Sequence, residues 1–552
     1  MKKLKLGTIQ TISTDVLVIG GGGAGLRAAI EAKKYDLNVL IVSKWRVGYK
    51  NNTAISGGIF AASGIRQESG DSPQVHFRDT ITSGCFINDR RLVEVMTQGA
   101  TQQVYDLIKF GVNFVKWGSD LWVQQAPGHT YPRQVAGEGS GISLSKPMRE
   151  YAASIGIQFK EGILVTKLLT AGNTVVGAFG IDDNGQVFVF NAKSTILATG
   201  GAGEAYLRTD NAVGSTGDGY ALAYEVGASL RDMEFVQFYP TGYGKLGRKI
   251  WAYGILLRGG ATIRNSLGED IIEKHGMKDF TLATRDMLAR AITIEIAEGR
   301  GIKGSVIGDL TGVPEESRKL HRFIRESVYP EKAMVAPTVH YFMGGVKINE
   351  NCQTELDGLY AAGEVCCGIH GANRLGGNAI TEILVFGAIA GDRAGARASK
   401  MKEIPAPRSQ VLAEVERLNE FGSPEGGGNL GELQQLLKQT MWGKVGVIRD
   451  KEGLTAARGE ILSQREQLSR VSLPSYQQLS QAVKLANMLA ISEMVCRAAL
   501  ERTESRGSHY RRDYPEENNQ QWLKNIEISR QNGDMTLKLI PVEGGEGNYQ
   551  PG

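Results

Sequence analysis

The apolar positions of this chain switch between three rhythms, and each predicts a different kind of element. In "TDVLVIGGGGAGLRAAIEAKKYDLNVLIVSK", Thr14 to Lys44, an apolar run meets a glycine cluster, a helical period follows, and a second apolar run closes the segment. That is strand, turn, helix and strand within about 30 residues, the βαβ unit of a dinucleotide site. Gly20, Gly22 and Gly25 fit GxGxxG. Because the motif follows "DVLVI" and opens a helix, its context favours a dinucleotide site over a glycine turn that binds nothing. Gly23 and Ala24 fall at the helix start, where unpaired N–H groups and the dipole favour phosphate. The second strand ends at Ser43 and Lys44, not at the acid that often meets a ribose.

Alternation takes over in "GILVTKLLTAGNTVVGAFGIDDNGQVFVFNAKSTILATGGAG", which carries a "DNG" hairpin turn and closes on Gly200, Gly201 and Gly203. From about Tyr239 to Tyr341 the pattern is mixed helix and loop, after which "LDGLYAAGEV" restores a buried strand ending at Gly363 and Glu364. An inserted domain within a discontinuous nucleotide domain accounts for this. "GIHGANRLGGNAITE", Gly368 to Glu382, then sets glycines and asparagines around Arg374 and leads into an apolar helix. It reads either as an ordinary loop before a buried helix or as an anion site with a placed guanidinium. Past Pro405 and Pro407 the pattern is amphipathic helix to about Arg502, and the last 50 residues or so are polar. The expected division is 1–238 and 344–404 for the nucleotide domain, 239–343 for the insertion, 405–510 for a helical domain and 511–552 for a polar extension.

Composition narrows the function classes. A length of 552 residues exceeds one core, and 71 glycines concentrate near strand ends, as in nucleotide-binding proteins. A net charge of +4 spread along the chain argues against nucleic acid. Five cysteines without CxxC spacing predict no metal site, neither a zinc ribbon nor an iron–sulfur ligand set. No signal peptide and no apolar run long enough for a membrane span are found. A soluble, cytoplasmic protein is expected, joined to a membrane only through a partner.

Taken in order, "VIGGGGAG", "ISGGIFAA", "LATGGAG", "STGDGYALAYEVGA", "FVQFYPTG", "RD" at Arg285, "VHYFMGG", "GLYAAGEV", "GANRLGGNA" and "ESRGSHYRRDYPEENNQQWLK" resemble the flavoprotein subunit family of succinate dehydrogenase and fumarate reductase, with L-aspartate oxidase as a near relative. The resemblance covers nearly the whole chain. It implies an α/β fold, a two-dinucleotide-binding-type FAD domain with an inserted α+β capping domain and a C-terminal helical domain. It implies FAD on the helix near Gly22, with Thr53, Gly57, Gly58, Gly200, Gly201, Asp218 and Asn378 in the cofactor site. Glu364 would accept ribose hydroxyls, against the alternative of a solvated loop acid, and the N–H groups of Ala379 and Ile380 would face the flavin carbonyl edge. Respiratory members tether FAD through a histidine at the position that is here Asn51, so noncovalent FAD is expected.

The resemblance also implies chemistry at a carbon–carbon bond. Arg285 aligns with the family's proton-transferring arginine, although an ion pair with Asp286 would be the ordinary alternative. His340 and Arg374 align with residues that hold one substrate carboxylate, a guanidinium fork and an added donor. His129 falls near another loop facing the site, with functional and structural readings evenly weighted. Two departures follow. "QFYPT" puts Tyr239 where the family has a histidine for the second carboxylate, and "KIWAYGILLRGG" retains Arg258 but holds no acid for the proton relay, with Gly254 and Ile255 in place of threonine and glutamate. A buried second carboxylate without partners would cost several kcal/mol. The expected substrate therefore keeps one carboxylate and is not itself fumarate or succinate, with electrons exchanged with an iron–sulfur partner subunit. An amino-acid oxidase and an adenylylsulfate reductase-like enzyme stand as alternatives on the same fold.

Overall fold

The computed structural model describes residues 5–66, 70–277, 283–316, 330–422 and 427–542. Its central sheet follows from the apolar runs. Ile9–Ile19 pairs in parallel with Val39–Ser43 on one side and Val187–Leu197 on the other, and Gln158–Glu161 extends the first edge. Val187–Leu197 continues through its "DNG" turn into antiparallel Thr174–Asp182 and Ile163–Ala171, while its far end takes Leu359–Ala361 in parallel. Helix Gly23–Ala32 packs directly on helix Asn378–Ala398, and the two bury Leu26, Ala28, Ile30, Leu384, Phe386 and Ala390.

The parallel strands Ile9–Ile19, Val39–Ser43, Val187–Leu197 and Leu359–Ala361 end on the same side, and that end is where a doubly wound sheet opens a ligand crevice. Gly20 supplies the turn there. Its φ of +123° is open to glycine, and a Cβ would stand 2.1 Å from the Ala198 carbonyl oxygen.

The insertion builds its own sheet from Val236–Tyr243, Lys332–Phe342, Val306–Asp309, Thr262–Arg264 and Lys249–Ile250, with a separate core around Trp251, Leu256, Leu288, Ile292 and Val335. Its first strand starts at Val236, so Tyr239 lies inside the strand and not at a boundary. Helices Arg408–Asn419, Leu430–Lys444, Lys451–Leu468 and Tyr476–Glu501 follow.

The polar extension departs from the sequence expectation. Lys524–Gln531 and Asp534–Pro541 form a hairpin that pairs with Leu230–Arg231 and, through it, Gly345–Val346. The preceding motif is buried at its start, where Arg502, Glu504, Arg506 and His509 are at most 1% exposed, and exposed from Arg512 to Gln521.

Candidate functional site

A cavity of about 690 Å³ runs from the end of the parallel strands to the inner face of the insertion. Gly20 to Ala24, Ser43, Lys44 and Gly200 line it, with Asn51 and Thr53 bonded to the glycine turn; Gly57, Glu364, Ala379 and Ile380 line it too, as do Tyr239, Arg285, His340 and Arg374. Residues scattered over more than 350 positions thus share one wall.

Two helix N-termini open into it. Helix Gly23–Ala32 has Gly22 at its cap and helix Asn378–Ala398 has Gly377, and neither cap residue makes a side-chain hydrogen bond. Thr53 Oγ1 accepts from Gly23 N at 3.1 Å, leaving the following N–H groups to the cavity. A Cβ at Gly22 would find its nearest atoms 3.9 Å away, and one at Gly200 would find none within 4 Å. A long anionic dinucleotide suits this channel, with a phosphate at one helix terminus and an electron-rich ring at the other.

Lys44 does not merely replace a missing acid. Its Nζ donates to Gly214 O at 2.6 Å and Thr216 Oγ1 at 3.0 Å and pairs with Asp218. Burial works to raise the Asp218 carboxyl, but Lys44, with Asn487 and Thr216, outweighs it and holds the group below the usual range. Glu364 is buried and accepts from Phe342 N at 3.1 Å and Asn52 Nδ2 at 3.2 Å, and burial pushes it up to about 7. Asn51 caps the short helix Asn52–Ile55, accepting from Ala54 N at 2.9 Å.

Five expected site residues stand off the cavity wall. Gly25 packs the helix onto the strand, since a Cβ would stand 2.0 Å from Gly20 O; Gly58 lets the chain approach Ser140, and Gly201 leaves room for Glu364. The Asn378 amide turns away, bonding His76 Nε2 at 2.8 Å and Thr80 Oγ1 at 2.9 Å, so only the neighbouring Ala379 and Ile380 reach the cavity. Arg258 is exposed at the end of helix Tyr253–Arg258. At 100° per residue it sits about 140° around the helix from Tyr253, which does line the cavity. The Ile255 side chain lies outside what the structure describes.

At the substrate end the guanidinium of Arg285 donates from Nη1 to Gln237 Oε1 at 2.7 Å and lies 5.3 Å from the Tyr239 ring centre. Asp286, the alternative partner, instead accepts from Thr284 Oγ1 at 2.7 Å and Asn373 Nδ2 at 2.8 Å. Tyr239 packs edge-on against Tyr253 at 5.6 Å and beside His340 at 5.2 Å. His340 Nδ1 bonds Asp210 Oδ2 at 2.7 Å, and burial, outweighing Asp210, pulls the imidazole down to about 4. Arg374 is 4% exposed, and its Nε has no hydrogen-bond partner among the described residues. Burial first, then the neighbouring Arg285, lower it to about 9. One buried and one half-buried guanidinium facing one cavity, with no carboxylate bonded to either among the described residues, make an anion site.

His129 is off this wall. Its Nε2 bonds Gly376 O at 2.7 Å and its Nδ1 meets Arg133 Nη1 at 3.1 Å, so it stays neutral and braces the glycine turn. Asp210, Gln237, Tyr253, Asn373 and Tyr341 were not foreseen. Gln237, Tyr253, Asn373 and Tyr341 fall within the quoted motifs, and only Asp210 has no nearby signal.

An FAD binding domain model matches residues 15–380, and a fumarate reductase flavoprotein C-terminal model matches residues 434–552. The chain belongs to the succinate dehydrogenase and fumarate reductase flavoprotein family. It is an FAD-dependent oxidoreductase. It is 38% identical to one of the subunits of the fumarate reductase (CoM/CoB) of Methanothermobacter marburgensis, over 94% of this chain and 97% of that one. It is 31% identical to the succinate dehydrogenase flavoprotein subunit of Rickettsia conorii, over 96% and 95%. The Mycobacterium smegmatis Sdh1 structure superposes with a TM-score of 0.86 at 32% identity, covering 97% and 95%. The uncapped helix termini and the glycine channel fit the family's cofactor.

Proposed function

We propose that this flavoprotein interconverts an α,β-unsaturated carboxylate and its saturated form, on a substrate that keeps one carboxylate and carries a neutral group at the other end. The observation that carries this reading is the asymmetry of the anion site. Arg374 supplies charge and His340 a second nitrogen for one carboxylate, while Tyr239, Tyr253, Pro127 and Ala126, which line the same cavity, bring no charge for a second. FAD, when bound, supplies hydride transfer. Arg374 and His340 hold the carboxylate, and Arg285, fixed by Gln237, gives or takes a proton at the neighbouring carbon. Its Nη2 lies toward Gly376, where a Cβ would meet it at 3.7 Å. An arginine, with a pKa above about 12, serves this way only in a site closed to water.

The Methanothermobacter marburgensis relative, named as part of a fumarate reductase (CoM/CoB), supports the reductive direction and electron exchange with a second subunit. No metal-ligating cluster occurs among the described residues, so an iron–sulfur group would belong to that partner. No described helix is long and apolar enough to cross a membrane. FAD is held noncovalently in this reading, since the Asn51 amide is engaged in capping. Acid precipitation should leave the flavin in the supernatant; fluorescence that stays with the polypeptide would contradict it.

The test is a titration of the flavin spectrum with fumarate and with crotonate, a monocarboxylate enoate. Crotonate should bind more tightly, and Arg285→Ala should abolish turnover while leaving its binding largely intact. Tight fumarate binding with fast turnover by the unmodified chain would overturn the reading.

A further inference from the structure

Behind Arg374 lies a buried polar cluster that the reaction above does not use. The Arg374 guanidinium stands 4.5 Å from the centre of the Tyr341 ring. The Tyr341 hydroxyl donates to Glu382 Oε2, and His370 Nε2 donates to the same oxygen at 3.0 Å while lying 3.3 Å from the phenol oxygen. Tyr341 is 6% exposed, His370 3% and Glu382 0%. With Nε2 facing a carboxylate, His370 carries its hydrogen there. Burial pulls the imidazole below its ordinary range, so it is neutral. His370 Nδ1 and Glu382 Oε1 have no hydrogen-bond partner among the described residues. One carboxylate oxygen is therefore doubly bonded and the other bare.

A bare carboxylate oxygen in the interior is costly unless a cation lies near. The guanidinium of Arg374 is that cation, one aromatic ring away. A phenol that donates to a carboxylate gains electron density, and its ring face then holds a guanidinium more strongly. We propose that Glu382, acting through Tyr341, is the positioning residue that keeps Arg374 charged and aimed at the substrate carboxylate. This rests on the reading that Arg374 holds that carboxylate.

The surroundings of Arg374 show why a counter-charge is needed. Arg285, across the cavity, opposes its charge; Glu364 on the strand side, Tyr341 on the capping strand and Glu382 on the last helix favour it. His340 and His370 also face it and are neutral. Removing one of two nearby carboxylates should make the guanidinium easier to discharge. The substrate site should then fail at lower pH, an effect that loss of packing alone would not give.

The experiment uses the full, FAD-loaded chain with crotonate as probe, its binding read from the flavin spectrum as pH is raised. The unmodified chain should lose affinity as pH passes about 9. Glu382→Gln should move that limb down by about one pH unit, with roughly tenfold weaker binding near its shoulder. Tyr341→Phe keeps the ring and loses the hydroxyl, so it should move the limb the same way by less. That variant decides the matter alone if Glu382→Gln does not retain FAD. A limb that stays in place in the variants overturns the role of Glu382. Crotonate binding unchanged in Arg374→Gln overturns instead the underlying assignment of Arg374.

Discussion

A histidine that gives its Nδ1 hydrogen to an aspartate keeps a bare lone pair on Nε2, and this changes what His340 can do. With Asp210 accepting from Nδ1 and burial pulling the ring down to about 4, neutral His340 has no hydrogen to offer a carboxylate through Nε2. It becomes a second donor only when the arriving anion supplies the charge that burial withholds. Ligand binding should then take up a proton. As pH rises above the free value of about 4, affinity should fall until the pH passes the raised value of the complex. Calorimetry of crotonate binding in buffers of different ionisation enthalpy measures this uptake directly. His340→Gln, with a permanent amide donor, should bind with no linked proton, and an unchanged uptake in that variant would place the proton elsewhere. The residues read from the sequence here, Arg285, His340, Arg374 and Tyr239, are those whose neighbours form rare local motifs. Asp210 and Gln237 escaped because each is an ordinary polar residue that becomes functional only when folding brings it beside a residue 130 or 48 positions away.

Helical phase and turn chemistry explain what was misplaced at the level of elements. Spacing along the chain puts Arg258 with the site, but about 1.4 turns of helix from Tyr253 carry it to the exposed side. The C-terminal hairpin was legible and passed over: "QNGD" between alternating segments is a strong two-residue turn signal, and Asn532 and Gly533 do adopt positive φ of 51° and 91°. Charge density hid it, because Lys524–Gln531 and Asp534–Pro541 present polar residues on one face. The charged motif before it begins in a buried network. Glu504 accepts from Arg502 Nη1 at 2.9 Å, from Arg506 Nε at 2.7 Å and from Asn518 N at 2.8 Å. Ser508 N then bonds Ala372 O at 3.0 Å, two residues before Arg374. This network braces the loop that carries the anion site. Glu504→Gln removes the charge shared by two buried arginines and should cost about 3–5 kcal/mol, read as a lower urea midpoint. A surface tail would lose less than about 1 kcal/mol, and that smaller loss would refute the brace.

At the scale of the whole molecule, two cores meet around one cavity, and the strands Val236–Tyr243 and Lys332–Phe342 run from one to the other. Acids trapped at such a junction make the stability of the chain depend on pH. Glu364 is the cleanest case: burial raises it from its ordinary 4.5 to about 7. The folded, FAD-free chain therefore holds a proton there that the unfolded chain releases. The sign follows: this group's contribution is fully present below about pH 4.5, fades as pH rises toward about 7 and is gone above it. The rise corresponds to roughly 3 kcal/mol. Glu364→Gln mimics the protonated acid and cannot titrate, so its urea midpoint should vary less between about pH 5 and about pH 7.5 than that of the unmodified chain. The variant should be the more stable of the two at the higher pH when both lack FAD. It should also bind FAD less well, because the carboxylate that costs stability in the empty channel is the acceptor offered to the ribose hydroxyls. Parallel pH slopes for the two chains would mean that Glu364 stays ionised in the fold, with Asn52 and Phe342 N compensating its burial completely.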